Sequence, residues 1–151
     1  MKNIFKKIGT VFFLSISMVL LNCDCNIPGR GPSSQQMVKD YYAAYEKKDW
    51  NLMKLILAGG FTFTSPAGDD HINLDLYKKR CWPNAHKVQK FDLEKIIIDG
   101  DEAYVTYNGW TTDGKLFRNT ELFKFKDGKI ISNECFFGAG VSFPTNTNIG
   151  K

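Results

Sequence analysis

The sequence has few of the residues that metal-centred chemistry and nucleic-acid binding require. It contains four cysteines and two histidines among 151 residues. No CxxC pair or Cys/His cluster has zinc-ligand spacing, so we expect neither a metal nor a cofactor. The glycine pairs lack the following lysine of a phosphate loop. The net charge is only +4, and no basic stripe runs along the chain, which argues against nucleic acid as a partner.

Long apolar runs are also missing, apart from one near the N-terminus. Lys2, Lys6 and Lys7 precede an uncharged run from Ile8 to Leu21, which is shorter than the ~20 residues of a membrane-spanning helix. This order of charge and apolar run is typical of a secretory signal peptide, with an uncleaved anchor helix as the alternative. Without those three lysines, 17 basic residues face 16 acidic ones. The basic excess therefore concerns targeting and not an acidic partner.

The end of this run, LLNC at positions 20–23, resembles the lipobox of bacterial lipoproteins. The resemblance implies that the signal peptide is residues 1–22 and that Cys23 is lipidated, which would anchor the exported protein to a membrane of the bacterial cell envelope. Asn22 departs from the small residue that this family has there. Secretion as a soluble protein is the alternative. Residues 23–33 then form the lipidated terminus and a tether that contains two prolines and two glycines.

Three helices are predicted in the first half of the domain. Ser33 is followed three residues later by glutamine, the spacing of a capping box, so the first helix begins after Ser33. Asp49 can cap a second helix that ends at the glycine pair 59–60. A short strand follows at 61–65. Asp70 can then cap a third helix over residues 72–82, which Pro83 ends.

The second half is predicted to consist of strands, at about 87–98, 102–112, 116–126 and 129–138. Asp-Gly pairs separate them, and such pairs favour tight hairpin turns because φ is positive there. Three turns of this type in succession indicate an antiparallel meander. The fold class is therefore α+β, with three N-terminal helices packed on one face of a curved antiparallel sheet.

The order and the residues of these segments resemble the SnoaL-like and ketosteroid-isomerase-like branch of the nuclear transport factor 2-like superfamily. The resemblance covers about residues 34–138, and its most specific parts are YYAAYEKKDW at 41–50, FTFTSP at 61–66 and FRNTELFKFKDGKI at 117–130. It implies a cone-shaped fold that encloses a pocket for a small molecule and is often dimeric. We take 34–143 as the domain and 144–151 as a C-terminal tail. A small apolar molecule and a second copy of the chain are the expected partners.

Strand 116–126 carries the clearest candidate for chemistry. With a period of two, Phe117, Asn119, Glu121, Phe123 and Phe125 share one face, and its phenylalanines mark that face as inward. An acid in an apolar interior is costly to ionise, so the pKa of Glu121 should rise. Such a group is a candidate general acid or base. Alternatively, it pairs with a buried Tyr, Trp or Lys and only orients the sheet.

The resemblance to ketosteroid isomerases implies further roles. It places Glu121 where that family has the protonated acid of its oxyanion hole, and Tyr41 where it has the oxyanion tyrosine. The proton-shuttling aspartate falls on Ser65, which cannot serve as that base, so steroid isomerisation is not expected. In the SnoaL cyclase branch the acid-base carboxylate comes from the later strands, which leaves a role for Glu121.

Asp69-Asp70-His71 is a second candidate constellation. A histidine beside carboxylates at a cavity mouth can shuttle protons, as the His/Asp pairs of related dehydratases do, so Asp70 and His71 are catalytic candidates. The alternative is that Asp70 is an ordinary helix cap. Cys81 and Cys135 lie in apolar-rich segments and are either linked in an oxidising compartment or buried free thiols.

Aromatic residues on strand 102–112 divide between its two faces. Tyr107 shares a face with Val105, whereas Trp110 shares the other with Tyr104, and the sequence does not decide which set lines a pocket. The predicted ligand-binding residues are Tyr41, Ser65, Trp82, Tyr107, Asn119 and Phe123.

These patterns predict an envelope-anchored SnoaL-like domain that binds a small apolar molecule. One alternative is a low-activity isomerase, cyclase or dehydratase that uses Glu121 as acid-base with Tyr41 and His71 in support. Another is a non-catalytic module in which the outer sheet face mediates dimerisation or assembly.

Overall fold

The computed structural model describes residues 31–137. The predicted signal peptide (1–22), the lipidation site Cys23, most of the 23–33 tether and the 144–151 tail lie outside the described residues. The elements, in chain order, are α1 (Ser34–Lys47), α2 (Trp50–Ile56), β1 (Leu57–Ser65), β2 (Asp69–Asn73), α3 (Leu74–Arg80), a 3-10 turn (Trp82–Lys87), β3 (Val88–Asp99), β4 (Glu102–Thr111), β5 (Leu116–Lys126) and β6 (Lys129–Phe136). None of the helices in 31–137 is long and apolar enough to cross a membrane.

Local capping determines where the first two helices begin, as predicted. The Ser33 hydroxyl accepts the amide of Gln36 at 3.2 Å, which satisfies one of the free N–H groups of the first turn of α1. The Asp49 carboxylate does the same for the first turn of α2, where it accepts the amides of Asn51 and Leu52. Lys48, between the helices, has a left-handed φ of 57°, and its Nζ donates to the Val88 carbonyl at 2.7 Å. This bond ties the end of α1 to the start of β3.

Three predicted helix boundaries are wrong, and for two of them strand pairing overrides the local pattern. The second helix ends at Ile56 and not at glycines 59–60, since residues from Leu57 onward pair with β6. Asp70 does not cap the third helix: it lies in β2, which pairs antiparallel with β1. That helix begins after Asn73, whose side chain accepts the Leu76 amide at 3.0 Å, and it ends at Arg80, before a separate 3-10 turn.

The strands form one six-stranded sheet in the order β2-β1-β6-β5-β4-β3. The predicted meander from β3 to β6 is confirmed, because each of these strands pairs antiparallel with the next. The prediction of a wholly antiparallel sheet is wrong: β1 runs parallel to β6, so the sheet is mixed. Glycines 100, 114 and 128 all have positive φ in the three connecting turns, as the Asp-Gly pairs indicate.

The inward face of the sheet packs against α1 and forms the core. Tyr41 of α1 meets Phe123 of β5 edge to face, with ring centroids 5.0 Å apart, and Tyr42 meets Tyr107 of β4 at 4.9 Å. The face that carries Tyr107 is therefore the inner one. Tyr104 is 45% exposed on the opposite face. The homodimer stays a prediction.

Candidate functional site

A cavity of about 280 Å³ lies between α1 and the inward face of the sheet. Eight of its 17 lining residues are aromatic, namely Tyr41, Tyr42, Tyr45, Phe63, Phe91, Tyr107, Phe117 and Phe137. Polar lining residues are few, namely Ser65, Asp69, Asn84, Asn119 and Glu121. No Lys, Arg or His among residues 31–137 is part of the lining. The volume is near the lower end of small-molecule sites.

Glu121 lies at the centre of a buried hydrogen-bond network. Its Oε1 accepts the Tyr107 hydroxyl at 2.8 Å, and its Oε2 accepts the Tyr42 hydroxyl at 3.1 Å and the Asn133 amide at 3.0 Å. The side chain is only 6% exposed. Burial raises the pKa of Glu121 above its ordinary value of 4.5, although the three hydrogen bonds act in the opposite direction. Glu121 therefore fits both interpretations made from the sequence. Its pKa is raised, and its carboxylate is paired with buried tyrosines.

The tyrosines around this acid keep their protons at neutral pH. Burial and the nearby Glu121 carboxylate raise the pKa of Tyr42 and of Tyr107 well above 10. Tyr107 also accepts the Asn119 side-chain amide at 3.2 Å. The Tyr107 hydroxyl therefore connects the amide of Asn119 to the carboxylate of Glu121.

A second network consists of three tyrosine hydroxyls in a row. The Tyr77 hydroxyl lies 2.6 Å from that of Tyr41 and 2.6 Å from that of Tyr45. Two hydrogen bonds use two of the three hydroxyl protons. When the bonds run in one direction along the row, the remaining proton belongs to Tyr41 or Tyr45. Both of these line the cavity, so this network can donate a hydrogen bond to a ligand oxygen.

A third polar cluster is centred on Asp69, in β2. The Ser65 hydroxyl donates to Asp69 Oδ2 at 2.8 Å, and the Cys81 thiol lies 3.9 Å from the same oxygen. Arg80 Nη2 lies 2.8 Å from Oδ1. Burial, with the Asp69 charge as the next cause, raises the pKa of the Cys81 thiol to about 11. Cys81 and Cys135 are both free thiols, so the disulfide alternative is wrong for this structure.

The cavity brings together five of the residues singled out from the sequence. Tyr41, Ser65, Tyr107, Asn119 and Glu121 all line it.

Trp82 and Phe123 do not line the cavity, so their predicted placement is corrected. The Trp82 ring packs between Tyr45 and Trp50, with centroids 5.0 and 5.1 Å away. Phe123 is fully buried and supports Tyr41 from behind. Both residues are part of the structure behind the cavity wall, because aromatic side chains at strand and helix spacing serve the core as readily as a pocket.

Asp70 and His71 lie outside the cavity. Their side chains are 88% and 71% exposed, and Asp70 Oδ1 and His71 Nδ1 are 2.5 Å apart in solvent. In β2, Asp69 is buried, whereas Asp70 and His71 are both exposed, because the positive φ of His71, 47°, interrupts the alternation of side chains along the strand. The expectation that His71 lies beside carboxylates at the cavity mouth is therefore wrong. Its catalytic role stays a prediction.

Several residues of the site were not identified from the sequence, among them Tyr42, Asp69 and Asn133. Tyr42 was missed because it follows Tyr41 directly in α1, yet both residues line the cavity. Asp69 was considered only as a neighbour of Asp70. Had a strand been predicted at β2, it would have indicated that the side chains of these two residues point in opposite directions. Asn133 has no local signal, since its bond to Glu121 depends on the β5–β6 register. No group of three His, Cys, Asp or Glu side chains in 31–137 is placed to hold a metal ion.

Comparison with solved structures supports the fold. A protein from Kribbella flavida is 19% identical with a TM-score of 0.63, over 70% of this chain and 86% of that one. A nuclear transport factor 2-like protein of unknown function from Cytophaga hutchinsonii is 20% identical with a TM-score of 0.60, over 73% and 94%. A candidate polyketide cyclase from Sinorhizobium meliloti is 22% identical with a TM-score of 0.55, over 67% and 94%. At these identities the likeness concerns the fold alone.

Family comparison gives the identity of the domain. No curated protein matches the chain. The model of the SnoaL-like domain matches residues 38–133, which is more than half of the chain and includes most of α1, most of the cavity lining and the sheet from β1 into β6. The chain therefore belongs to the SnoaL-like family, and its fold resembles that of nuclear transport factor 2-like proteins.

Proposed function

We propose that this domain binds a small, largely apolar molecule in the cavity between α1 and the sheet. The observation that carries this proposal is the composition of the cavity wall, where eight aromatic residues surround a few polar groups. Such a combination is typical of small-molecule sites, in which aromatic surface provides affinity and a few hydrogen bonds fix orientation.

The ligand is expected to carry an oxygen that accepts a hydrogen bond. The row of hydroxyls from Tyr41 through Tyr77 to Tyr45 offers one proton to the cavity, and hydrogen bonds along a row polarise and strengthen one another. Tyr41 is also the residue that the resemblance to ketosteroid isomerases places at the oxyanion tyrosine. A carbonyl or ether oxygen at the end of an apolar ring system fits this donor.

A binding experiment tests the proposal. N-phenyl-1-naphthylamine, a neutral probe that fluoresces in apolar surroundings, is expected to bind to the purified domain with saturation. In an Ala67→Trp variant, an indole is added at an exposed position that lines the cavity, and binding should weaken at least tenfold. Thr112→Trp is the matched control, because Thr112 is exposed and is not part of the lining. Equal binding by both variants would count against the cavity as the site.

A second candidate function is proton transfer on the bound molecule, as in an isomerase, cyclase or dehydratase of low activity. It is favoured by the raised pKa of Glu121, a buried acid that lines the cavity. One similar structure is a candidate polyketide cyclase, which is consistent with this chemistry. Ser65 stands at the position of the ketosteroid isomerase base, so we do not propose steroid isomerisation. Native mass spectrometry separates the two functions: Glu121→Gln should retain a bound ligand but stop its turnover.

We also propose that the protein is exported and anchored to the cell envelope through a lipidated Cys23. The proposal is supported by the basic residues, the apolar run and the lipobox-like LLNC of the first 23 positions. Intact-mass measurement of protein extracted from membranes tests it. An unmodified Cys23 in the mature chain would leave plain secretion as the explanation.

A further inference from the structure

The side-chain amide of Asn119 has one end that the protein fixes and one that it leaves free. Its Nδ2 donates to the Tyr107 hydroxyl at 3.2 Å and lies 3.7 Å from the Cys135 sulfur. The single proton of the Tyr107 hydroxyl goes to Glu121 Oε1, so the Asn119 atom that faces this hydroxyl is the donor nitrogen. The amide oxygen, Oδ1, is therefore at the other end, and these contacts set its direction.

The Oδ1 atom of Asn119 is an open acceptor. Both of the side-chain hydrogen bonds that Asn119 makes within 31–137 use its nitrogen. The residue is half-buried and lines the cavity, and its Oδ1 is not sealed in the core without a partner, as the Oδ1 of Asn133 is. A molecule in the cavity can therefore reach this oxygen.

The amide lies on the inward face of β5. Asn119 also borders a groove that includes its neighbours Arg118 and Thr120, whose side chains belong to the opposite face because side chains alternate along a strand. Both groups that the Asn119 nitrogen contacts, those of Tyr107 and Cys135, line the cavity. The polar part of the side chain is thus directed toward the cavity and not toward the groove.

The other acidic and amide side chains of the cavity wall are already paired or are exposed. Glu121 accepts three hydrogen bonds, and Asp69 accepts the Ser65 hydroxyl on one oxygen and forms an ion pair through the other. Asn84 is exposed, and water competes for its amide. Among these side chains, Asn119 is therefore the one that holds a free acceptor in a fixed direction.

The surroundings of this acceptor indicate what kind of donor fits. The amide is neutral, and no Lys, Arg or His in 31–137 lines the cavity, so an anionic group would be buried without a counter-charge at a high desolvation cost. A cationic group at the amide would meet the same cost. A neutral hydroxyl supplies the donor without burying a charge, and its hydrogen bond is strengthened by the apolar surroundings.

We propose that Asn119 Oδ1 is a specificity-determining subsite, which accepts a hydrogen bond from a hydroxyl group of the molecule bound in the cavity. The inference rests on the proposed function, since it requires the cavity to bind a small apolar molecule. It narrows the ligand class to neutral, apolar compounds that carry a hydroxyl group.

Three probes of the same ring system isolate the hydroxyl. 2-Naphthol carries the donor, 2-methylnaphthalene replaces it with a methyl group of similar size, and 2-methoxynaphthalene keeps the oxygen but has no donor. Their affinities are measured by displacement of N-phenyl-1-naphthylamine from the full domain. We expect 2-naphthol to bind at least threefold more tightly than either of the other two.

The variants then assign this preference to Asn119. Asn119→Leu removes the acceptor at nearly constant size, and we expect 2-naphthol to bind no more tightly than 2-methylnaphthalene, whose own affinity should not fall. Asn84→Leu is the matched control, because it makes the same change at the other asparagine of the lining, and it should keep the full preference. Asn119→Val also lacks the acceptor and suits a strand, so it replaces the leucine variant if that one does not fold.

Each other outcome overturns the inference. If Asn119 only orients Tyr107, the variants at position 119 will change all three affinities equally and leave their ratios as they were. If 2-methoxynaphthalene binds as tightly as 2-naphthol, the ligand oxygen acts as an acceptor and needs no partner at Asn119. Loss of the preference in Asn84→Leu would assign the acceptor to Asn84. Equal binding of the three probes rejects the subsite but leaves the proposed binding function intact, whereas failure of every probe to bind, N-phenyl-1-naphthylamine included, rejects both.

Discussion

The Tyr42 hydroxyl donates a hydrogen bond to Glu121 Oε2 over 3.1 Å, and this bond joins α1 to β5 across 79 positions of the chain. Glu121 also accepts Tyr107 of β4 and Asn133 of β6. One carboxylate thus holds the helix against three strands and at the same time lines the cavity. Substitutions at this residue are therefore expected to affect both stability and ligand chemistry.

The stability of the fold should depend on pH through Glu121. Burial raises its folded-state pKa above 4.5, so the folded protein holds this proton where the unfolded chain has lost it. Relative to Glu121→Gln, the native free energy of unfolding should decrease as pH rises from about 4.5 through the folded-state pKa, by at most ~1.4 kcal/mol per pH unit. Urea denaturation of both proteins between pH 4 and 8 measures this difference. Glu134→Gln, on the same sheet, is the control. A constant difference across the range would contradict the raised pKa.

The row of tyrosine hydroxyls should contribute to stability through its central member. Tyr77→Phe keeps the ring but leaves the hydroxyls of Tyr41 and Tyr45 without their shared partner. We expect a loss of about 1–3 kcal/mol in the free energy of unfolding, the cost of buried polar groups without partners. Tyr104→Phe removes a hydroxyl from an exposed ring and should change stability by less than about 0.5 kcal/mol. Similar losses for the two variants would show that the row is not stabilising.

Gly109 leaves space for an aromatic ring of the cavity wall. A Cβ at this position would lie 2.2 Å from Cζ of Phe117, so Gly109→Ala must displace that ring. We expect a loss of about 1–3 kcal/mol from overpacking and a weaker affinity for N-phenyl-1-naphthylamine, because Phe117 lines the cavity. Gly60→Ala is the control, since nothing lies within 4 Å of its Cβ. Unchanged probe affinity in a folded Gly109→Ala protein would indicate that Phe117 does not shape the binding site.

The Cys81 thiol should react slowly at neutral pH. Its pKa is raised to about 11 by burial and by the Asp69 charge, and the thiolate is the reactive form. The rate of alkylation by iodoacetamide, followed by mass spectrometry of the Cys81 peptide, should rise about tenfold per pH unit from pH 7 to 10. In 8 M urea, the alkylation rate of the same peptide should stop rising near pH ~8.5, which is the ordinary pKa of a cysteine. Levelling at pH 8.5 in the folded protein would contradict the raised pKa.

Local patterns predicted most of the elements of this fold. The caps at Ser33 and Asp49, the three Asp-Gly turns and the alternation along β5 each involve residues a few positions apart, so their physics can be read from a short stretch of sequence. The same alternation predicted that Glu121 points inward, and the structure agrees.

Pairing between distant segments decided the features that the sequence did not predict. The parallel contact of β1 with β6 ends α2 early, and the pairing of β2 with β1 turns Asp69 rather than Asp70 toward the cavity. Both depend on strands brought together by the whole fold, for which no local residue pattern exists.

The sequence by itself determined that this chain is an α+β domain with an acid on an aromatic inner face, because capping, turn chemistry and period-two burial are local. Only the tertiary structure decided that Tyr42, Tyr107 and Asn133 meet at that acid and that Asp69 faces the same cavity. Those contacts join α1 to the sheet and β2 to β1, and their geometry depends on strand register and packing.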